Sequence, residues 1–114
     1  MTQRLDVDVR VLFSDCSAST DEPIAFYAVE HGDSTLYLCN LAVAKRWRRR
    51  GVGTAALESA SRFGKDLGYR FLELDVQEEN LPAQLLYRKL GFRAVEVKPH
   101  FYRDQAGYNM LKEL

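Results

Sequence analysis

The sequence predicts an α/β fold of the α+β kind, in which helices pack on a mixed, mostly antiparallel sheet. Several segments alternate apolar and polar residues with the period of a strand, and two others repeat apolar residues with the period of a helix. A glycine follows each helical segment, at the position typical of a helix C-terminus. The predicted order is β-β-β-α-β-α-β-β, in a single domain covering residues 1–114.

Three strands are predicted before the first helix. The segment Leu5–Phe13 alternates between an apolar and a polar face, which is typical of a half-buried antiparallel strand. After the polar loop Ser14–Glu22, the apolar runs Ile24–Glu30 and Leu36–Val43 flank the turn-forming residues His31-Gly32-Asp33-Ser34 and are expected to form a hairpin. The apolar face of the first strand carries Leu5, Val7, Val9, Val11 and Phe13.

The two predicted helices have recognisable ends. Val52–Leu67 has apolar residues at helical spacing, and Gly68 is expected to end it. Leu81–Leu90 is the second helix, which Asn80 is expected to cap and Gly91 to close.

Three more strands complete the predicted sheet. Arg70–Val76 lies between the helices, while Arg93–Lys98 and Tyr108–Leu114 follow the second helix and flank a loop rich in aromatic and charged residues. In the first of these strands, successive side chains point to opposite faces. One face carries Leu72, Leu74 and Val76, and the other carries Phe71, Glu73 and Asp75.

Composition excludes several classes of protein. A hydrophobic content of 46% with 28% charged residues fits a globular domain, and the formal net charge of +0 disfavours a general nucleic-acid binder. No apolar run approaches the roughly 18–20 residues that span a bilayer, so no membrane partner is expected. Cys16 and Cys39 lack metal-ligand spacing, and Cys39 lies in an apolar strand pattern where a thiol is expected to be buried. These features predict a cytoplasmic protein without a metal.

A basic, glycine-rich segment indicates a phosphate-binding site. Arg48-Arg49-Arg50-Gly51-Val52-Gly53-Thr54 lies between a predicted strand and a predicted helix. The start of a helix offers unpaired N–H groups, and glycine lets phosphate oxygens approach the main chain closely. The run from Lys45 to Arg50 could instead be a nucleic-acid patch, but the strand before it and the helix after it favour a phosphate site.

Two motifs resemble those of one known family. Leu41-Ala42-Val43, followed by Arg48-x-x-Gly51-x-Gly53, is similar to the acetyl-coenzyme A motif of the GNAT acetyltransferase superfamily. Asn80-x-x-Ala83-x-x-Leu86-Tyr87-x-x-Leu90-Gly91-Phe92 resembles the family's segment from its second coenzyme-contacting loop to the next strand. Together the motifs cover roughly the last three quarters of the chain.

The resemblance implies an acetyl-coenzyme A (acetyl-CoA) site, with the coenzyme as co-substrate. The main chain of Leu41, Ala42 and Val43 would bind the acetyl carbonyl and the pantetheine arm, at a splay between neighbouring parallel strands. Asn80 would contact pantetheine, and Tyr87 would lie beside the thioester sulfur. The pyrophosphate would be held by Arg48, Arg49, Arg50, Gly51, Val52, Gly53 and Thr54.

Within the superfamily, the chain most resembles the branch that acetylates protein N-terminal α-amines, of the ribosomal-protein-alanine type. Leu74-Asp75-Val76-x-x-x-Asn80 resembles its strand-loop motif, and Phe101-Tyr102 resembles its paired aromatic residues. Asp75 matches a position that is commonly a glutamate general base, and aspartate is shorter by one methylene. Glu73, His100 or a water molecule remain alternative bases, and Phe101 and Tyr102 would line a peptide groove or pack the final hairpin.

The acceptor side differs from the family pattern. The resemblance begins at the family's second strand, so the first strand and two helices, which usually close over the acceptor, are expected to be missing. The expected function is acetyl transfer from acetyl-CoA to a protein or peptide N-terminal α-amine. The alternatives are a small-molecule amine acceptor and a non-catalytic coenzyme-binding module. A homodimer that completes the acceptor wall is a further expectation.

Overall fold

The computed structural model describes residues 7–13, 23–49, 51–102 and 105–114, with side chains except at positions 7, 8, 11–13, 23, 100–102 and 105. The predicted order of strands and helices is confirmed. The elements are β1 (Val7–Phe13), β2 (Pro23–His31), β3 (Thr35–Val43), α1 (Val52–Asp66), β4 (Phe71–Gln77), α2 (Leu81–Lys89), β5 (Arg93–Tyr102) and β6 (Gln105–Glu113). A short 3-10 helix, Lys45–Trp47, follows β3.

The six strands form one mixed sheet in the order β1-β2-β3-β4-β6-β5. Only the pair β3–β4 is parallel, and the other neighbouring strands are antiparallel, as predicted. Both helices pack on one face in a single hydrophobic cluster, against the buried side chains of Leu72, Leu74 and Val76. The opposite face carries no helix from the described parts of the chain, and Glu73 and Asp75 lie on it.

The helix ends follow the predicted chemistry. The main-chain N–H of Ala83 donates to Asn80 Oδ1 (3.3 Å), so Asn80 caps α2. Gly68 and Gly91, which follow the helices, have φ of 89° and 100°, a region that favours glycine. Each helix ends one residue earlier than its predicted terminus.

The prediction that the apolar face of β1 is buried is wrong at Val9, the one residue of that face whose side chain the structure describes. Val9 is 60% exposed, whereas the guanidinium of Arg10 lies 4.2 Å from the centre of the Phe63 ring in α1. The register explains this, because Arg10 pairs with Tyr27, a buried residue on the helix-bearing face. Val9, the neighbour of Arg10 in the strand, therefore lies on the face without helices. Leu5 lies outside the described residues.

The last two strands are longer than predicted. Phe101 and Tyr102 belong to the backbone of β5, which pairs with β6 up to Tyr102↔Gln105, so the predicted loop between these strands is wrong in extent. The pairing shifts register between Ala94 and Glu96 and again between Lys98 and Tyr102. Such irregularities interrupt the alternation by which a strand is recognised in sequence.

Candidate active site

A gap opens in the sheet between the two parallel strands. The strands pair at three positions, which end at Tyr37↔Glu73, and the described residues show no pair beyond it, although β3 continues to Val43. On its other side β4 pairs with β6 along its whole length. The main chain of Leu41–Val43 pairs with β2 on one side and therefore borders an opening on the side of β4. Because backbone N–H and C=O groups require partners, such an edge can bind an extended ligand that carries amide groups.

A β-bulge at Cys39 accompanies the gap. Ala28 pairs with Asn40 and Val29 with Leu38, so Cys39 is the extra residue on β3. The expectation of a buried Cys39 is wrong, because the bulge breaks the alternation and leaves this residue exposed. Partial burial of the thiol, and secondly the nearby Glu30 carboxylate, raise the pKa of Cys39.

The basic loop joins the end of β3 to the start of α1. Arg48 Nε donates to the carbonyl oxygen of Val43 (3.2 Å), which ties the loop to the strand beside the gap. Two residues of the loop have left-handed backbones: Arg49 with φ of 62° and Gly51 with φ of 78°. A left-handed conformation in a residue other than glycine costs about 1 kcal/mol, so its presence in this loop indicates a constrained turn. Arg50 lies outside the described residues.

The first turn of α1 is open on its outer side. A Cβ atom added at Gly51 or Gly53 would meet no atom of the described residues within 4 Å, outside the glycine's immediate chain neighbours and the helix's own backbone. Gly51 is explained by its positive φ, but Gly53 has an ordinary helical backbone in which alanine would be more stable. The fold itself therefore gives no reason for glycine at position 53. A ligand close to the main chain would give one.

We predict that Gly53→Ala raises stability and weakens coenzyme binding. Alanine in the helix should add about 0.5 kcal/mol to the free energy of unfolding, while its methyl group would occupy the space predicted for a pyrophosphate. Thermal unfolding and calorimetric titration with acetyl-CoA measure the two effects. Gly68→Ala is the control, because φ of 89° makes it destabilising at a site away from the loop. Unchanged affinity in Gly53→Ala would contradict this location for the pyrophosphate.

A cluster of polar side chains lies at the closed end of the gap, on the sheet face without helices. The Asp75 side chain is 5% exposed. The Tyr37 hydroxyl donates to Asp75 Oδ2, and Asn109 Nδ2 donates to Asp75 Oδ1 (3.1 Å) and to Glu73 Oε2 (2.8 Å). Lys98 Nζ lies 3.3 Å from Asp75 Oδ1. The structure thus gathers side chains from three other strands around the carboxylate of Asp75.

Sequence reasoning identified Asp75 and Glu73 but missed Tyr37, Lys98 and Asn109. Strand alternation alone could have placed Tyr37 on one face of β3. Its contact with Asp75 depends on the register Tyr37↔Glu73, which no local pattern specifies. The contacts of Asn109 and Lys98 depend similarly on how β6 and β5 pair.

Tyr87 lies on the other side of the sheet. It is half-buried in α2, with its ring centre 5.8 Å from that of Phe92. Burial raises the pKa of Tyr87 above its ordinary value, so the hydroxyl keeps its proton at neutral pH. The two residues expected to be catalytic, Tyr87 and Asp75, therefore lie on opposite faces of the sheet.

The remaining predicted residues lie at the start of α2 and in β5. The side-chain oxygen of Asn80 caps α2 and lies before the first turn of this helix. His100, Phe101 and Tyr102 lie in the backbone of β5, but their side chains are outside the described set. In the described ranges, no group of three or more histidine, cysteine, aspartate or glutamate residues is arranged to hold a metal ion. None of the described helices has the length and apolar character needed to cross a membrane.

The same fold occurs in solved acetyltransferase structures. Arabidopsis thaliana NAA60 in complex with a bisubstrate analogue superposes with a TM-score of 0.83 at 20% identity, over 96% of this chain and 77% of that one. The Escherichia coli ribosomal-protein-S18-alanine N-acetyltransferase gives a TM-score of 0.78 at 25% identity, over 85% of this chain and 64% of that one. The fold is therefore that of a GNAT acetyltransferase.

The sequence identifies the family. The profile of the Acetyltransferase (GNAT) family matches residues 8–92, and the chain belongs to this family. An N-alpha-acetyltransferase of Sulfurisphaera tokodaii is 40% identical over 70 residues, which are 60% of this chain and 41% of that protein. The chain spans less than half the length of the first curated relatives that it matches.

Proposed function

We propose that the chain transfers an acetyl group from acetyl-CoA to a protein or peptide N-terminal α-amine, by direct attack in a ternary complex. The observation that carries the proposal is the gap between β3 and β4, which has a glycine-rich loop beside one strand and a hydrogen-bonded carboxylate at its closed end. Membership of the family and the resemblance to N-alpha-acetyltransferases support the same reaction.

Acetyl-CoA would extend from the basic loop into the gap. The open first turn of α1 and the arginines before it suit the pyrophosphate, since helix N–H groups and guanidinium groups both stabilise phosphate charge. The main chain of Leu41–Val43 would bind the pantetheine amides in the manner of an added strand. Asn80 stands at the start of α2, beyond the end of β4, where it would contact the same arm.

The chemistry requires a neutral amine and a stabilised thiolate. The amine nitrogen attacks the thioester carbonyl carbon, the C–N bond forms, and the C–S bond breaks. The proton lost by nitrogen passes to Asp75, through Tyr37 or a water molecule, because the Tyr37 hydroxyl already donates to that carboxylate. The protonated Tyr87 hydroxyl donates a hydrogen bond to the departing thiolate, on the other side of the sheet.

An α-amine is the acceptor that this machinery suits best. With an ordinary pKa near 7.7–8.0, about a tenth of an α-amine is neutral at pH 7, whereas a lysine amine near 10.4 is neutral in well under a thousandth. A carboxylate that works through a hydroxyl or a water molecule is sufficient for the first acceptor. For lysine it would have to overcome roughly 3.5 pK units, or about 5 kcal/mol.

The test measures thiol release and acetyl transfer together. Protein and acetyl-CoA are mixed with peptides that have free or blocked N-termini, with lysine-containing blocked peptides, and with polyamines. The cysteine thiols of the protein would themselves react with a thiol reagent, and that of Cys39 is exposed, so a variant with Cys16→Ser and Cys39→Ser is used beside the wild type. Release of coenzyme A that depends on a free peptide N-terminus, with a matching mass increase on the α-amine, supports the proposal. Coenzyme binding without transfer to any acceptor contradicts it.

A further inference from the structure

The Asp75 carboxylate is held more firmly than a general base would require. Each of its two oxygens has separate partners. Oδ1 accepts a hydrogen bond from Asn109 and pairs with the Lys98 ammonium, and Oδ2 accepts a hydrogen bond from the Tyr37 hydroxyl. We propose that Lys98 and Asn109 are positioning residues, which hold Oδ1 so that Oδ2 stays directed at the Tyr37 hydroxyl. The effect on turnover rests on the proposed function, whereas the orientation of the carboxylate does not.

Asn109 separates the roles of the two neighbouring carboxylates. It is 5% exposed, and its amide nitrogen, which carries two hydrogens, donates to both Glu73 and Asp75. Two carboxylates on one strand face repel each other, and a shared donor reduces that repulsion while it fixes their orientation. In the described contacts Asp75 receives three donors and Glu73 receives one, so Asp75 is the carboxylate with a fixed direction.

Lys98 supplies the positive charge of the cluster. Its ammonium lies 3.3 Å from Asp75 Oδ1, and its side chain is 30% exposed while that of Asp75 is 5% exposed. A buried carboxylate is costly unless it is paired, and the pair fixes which oxygen faces the cation. Because Lys98 comes from β5 and Tyr37 from β3, their contacts hold the carboxylate from opposite sides across β4 and β6.

The short side chain of Asp75 explains why its carboxylate must be held in one orientation. An aspartate is shorter by one methylene than a glutamate, so it reaches less far toward a substrate in the gap. Through its hydrogen bond the Tyr37 hydroxyl extends that reach, but only while Oδ2 keeps its direction. Lys98 and Asn109 therefore preserve the geometry on which proton transfer depends.

The test compares Lys98→Met with Lys98→Arg. Methionine keeps most of the length of the side chain and removes the charge, and thermal unfolding checks that both variants are folded. We expect Lys98→Met to lower kcat by about tenfold, with the KM for acetyl-CoA within about twofold of wild type. Lys98→Arg should keep about a third or more of the wild-type kcat. Lys65→Met, at an exposed position on α1, removes the same charge and should leave kcat unchanged. An unchanged kcat in Lys98→Met, or a change confined to KM, would overturn the proposal.

A second measurement does not depend on activity. With 13C-labelled tyrosine, the Cζ resonance of Tyr37, assigned by its loss in Tyr37→Phe, reports the hydrogen bond to Asp75. Lys98→Met should move this resonance, whereas Lys98→Arg and Lys65→Met should not. A resonance that stays in place in Lys98→Met overturns the positioning role even if the wild type is active. If the wild type transfers no acetyl group, the proposed function fails and this resonance alone decides the inference.

Discussion

Tyr87→Phe is expected to lower turnover by about 10²–10⁴-fold and to leave the affinity for acetyl-CoA almost unchanged. The substitution removes one hydroxyl and retains the ring, which packs 5.8 Å from the centre of Phe92. The lost group is the proposed donor to the departing thiolate. Initial rates at saturating peptide give kcat, and calorimetric titration gives the affinity.

Tyr69→Phe is the matched control for this substitution. The Tyr69 hydroxyl lies 2.7 Å from His31 Nδ1, away from the gap, so its removal affects a structural contact and should leave turnover unchanged. A loss below threefold in Tyr87→Phe would exclude Tyr87 as the donor. An equal loss in both variants would instead indicate a general effect on folding.

The pH profile checks the same assignment. Because burial raises the pKa of Tyr87, its deprotonation comes at a higher pH than for an exposed tyrosine, whose pKa is about 10. Deprotonation of Tyr87 should therefore cause no fall in the rate below about pH 10. The rate should rise as the acceptor α-amine loses its proton near pH 7.7–8.0. The Tyr87→Phe profile should keep this acid limb and be lower throughout.

Asp75→Asn and Tyr37→Phe are each expected to lower turnover by about 10²-fold, and the double variant by little more than either alone. This follows if the two groups act as one unit, joined by the hydrogen bond from the Tyr37 hydroxyl to Asp75 Oδ2. Full steady-state kinetics of the two single variants and the double variant measure the coupling.

Glu73→Gln is the comparator for this pair of substitutions. It makes the same chemical change on the same strand and the same face, at the carboxylate that receives one described donor rather than three. A larger loss in Glu73→Gln than in Asp75→Asn would make Glu73 the base. Strictly multiplicative losses in the double variant would show that Tyr37 and Asp75 act independently.

Local chemistry made much of the fold predictable. The cap at Asn80 and the glycines that end both helices depend on a few neighbouring residues, so the sequence locates the helices to within a residue. The place of the basic, glycine-rich segment between a strand and a helix was predictable for the same reason, because a helix start after such a turn is a local arrangement. The element order follows from these boundaries.

Long-range pairing was not predictable. The place of Asp75 on the polar face of β4 was predictable, but its contact with Tyr37 joins residues 38 positions apart, through a register that neither strand specifies alone. The face of β1 and the exposure of Cys39 were mispredicted because burial depends on what packs against a strand and on one inserted residue. Burial at these two places depends on tertiary structure, which cannot be predicted from the alternation of apolar and polar residues in a single strand.

The short parallel pairing divides the sheet into two antiparallel ribbons, β1-β2-β3 and β4-β6-β5, which share three paired positions at their junction. Helix α1 contacts strands of both ribbons and keeps them together on one face. A ligand whose amides bond to the free edge of β3 would complete the interrupted ladder. In the proposed complex acetyl-CoA spans the gap, so its binding and the cohesion of the two ribbons are coupled, and each would favour the other.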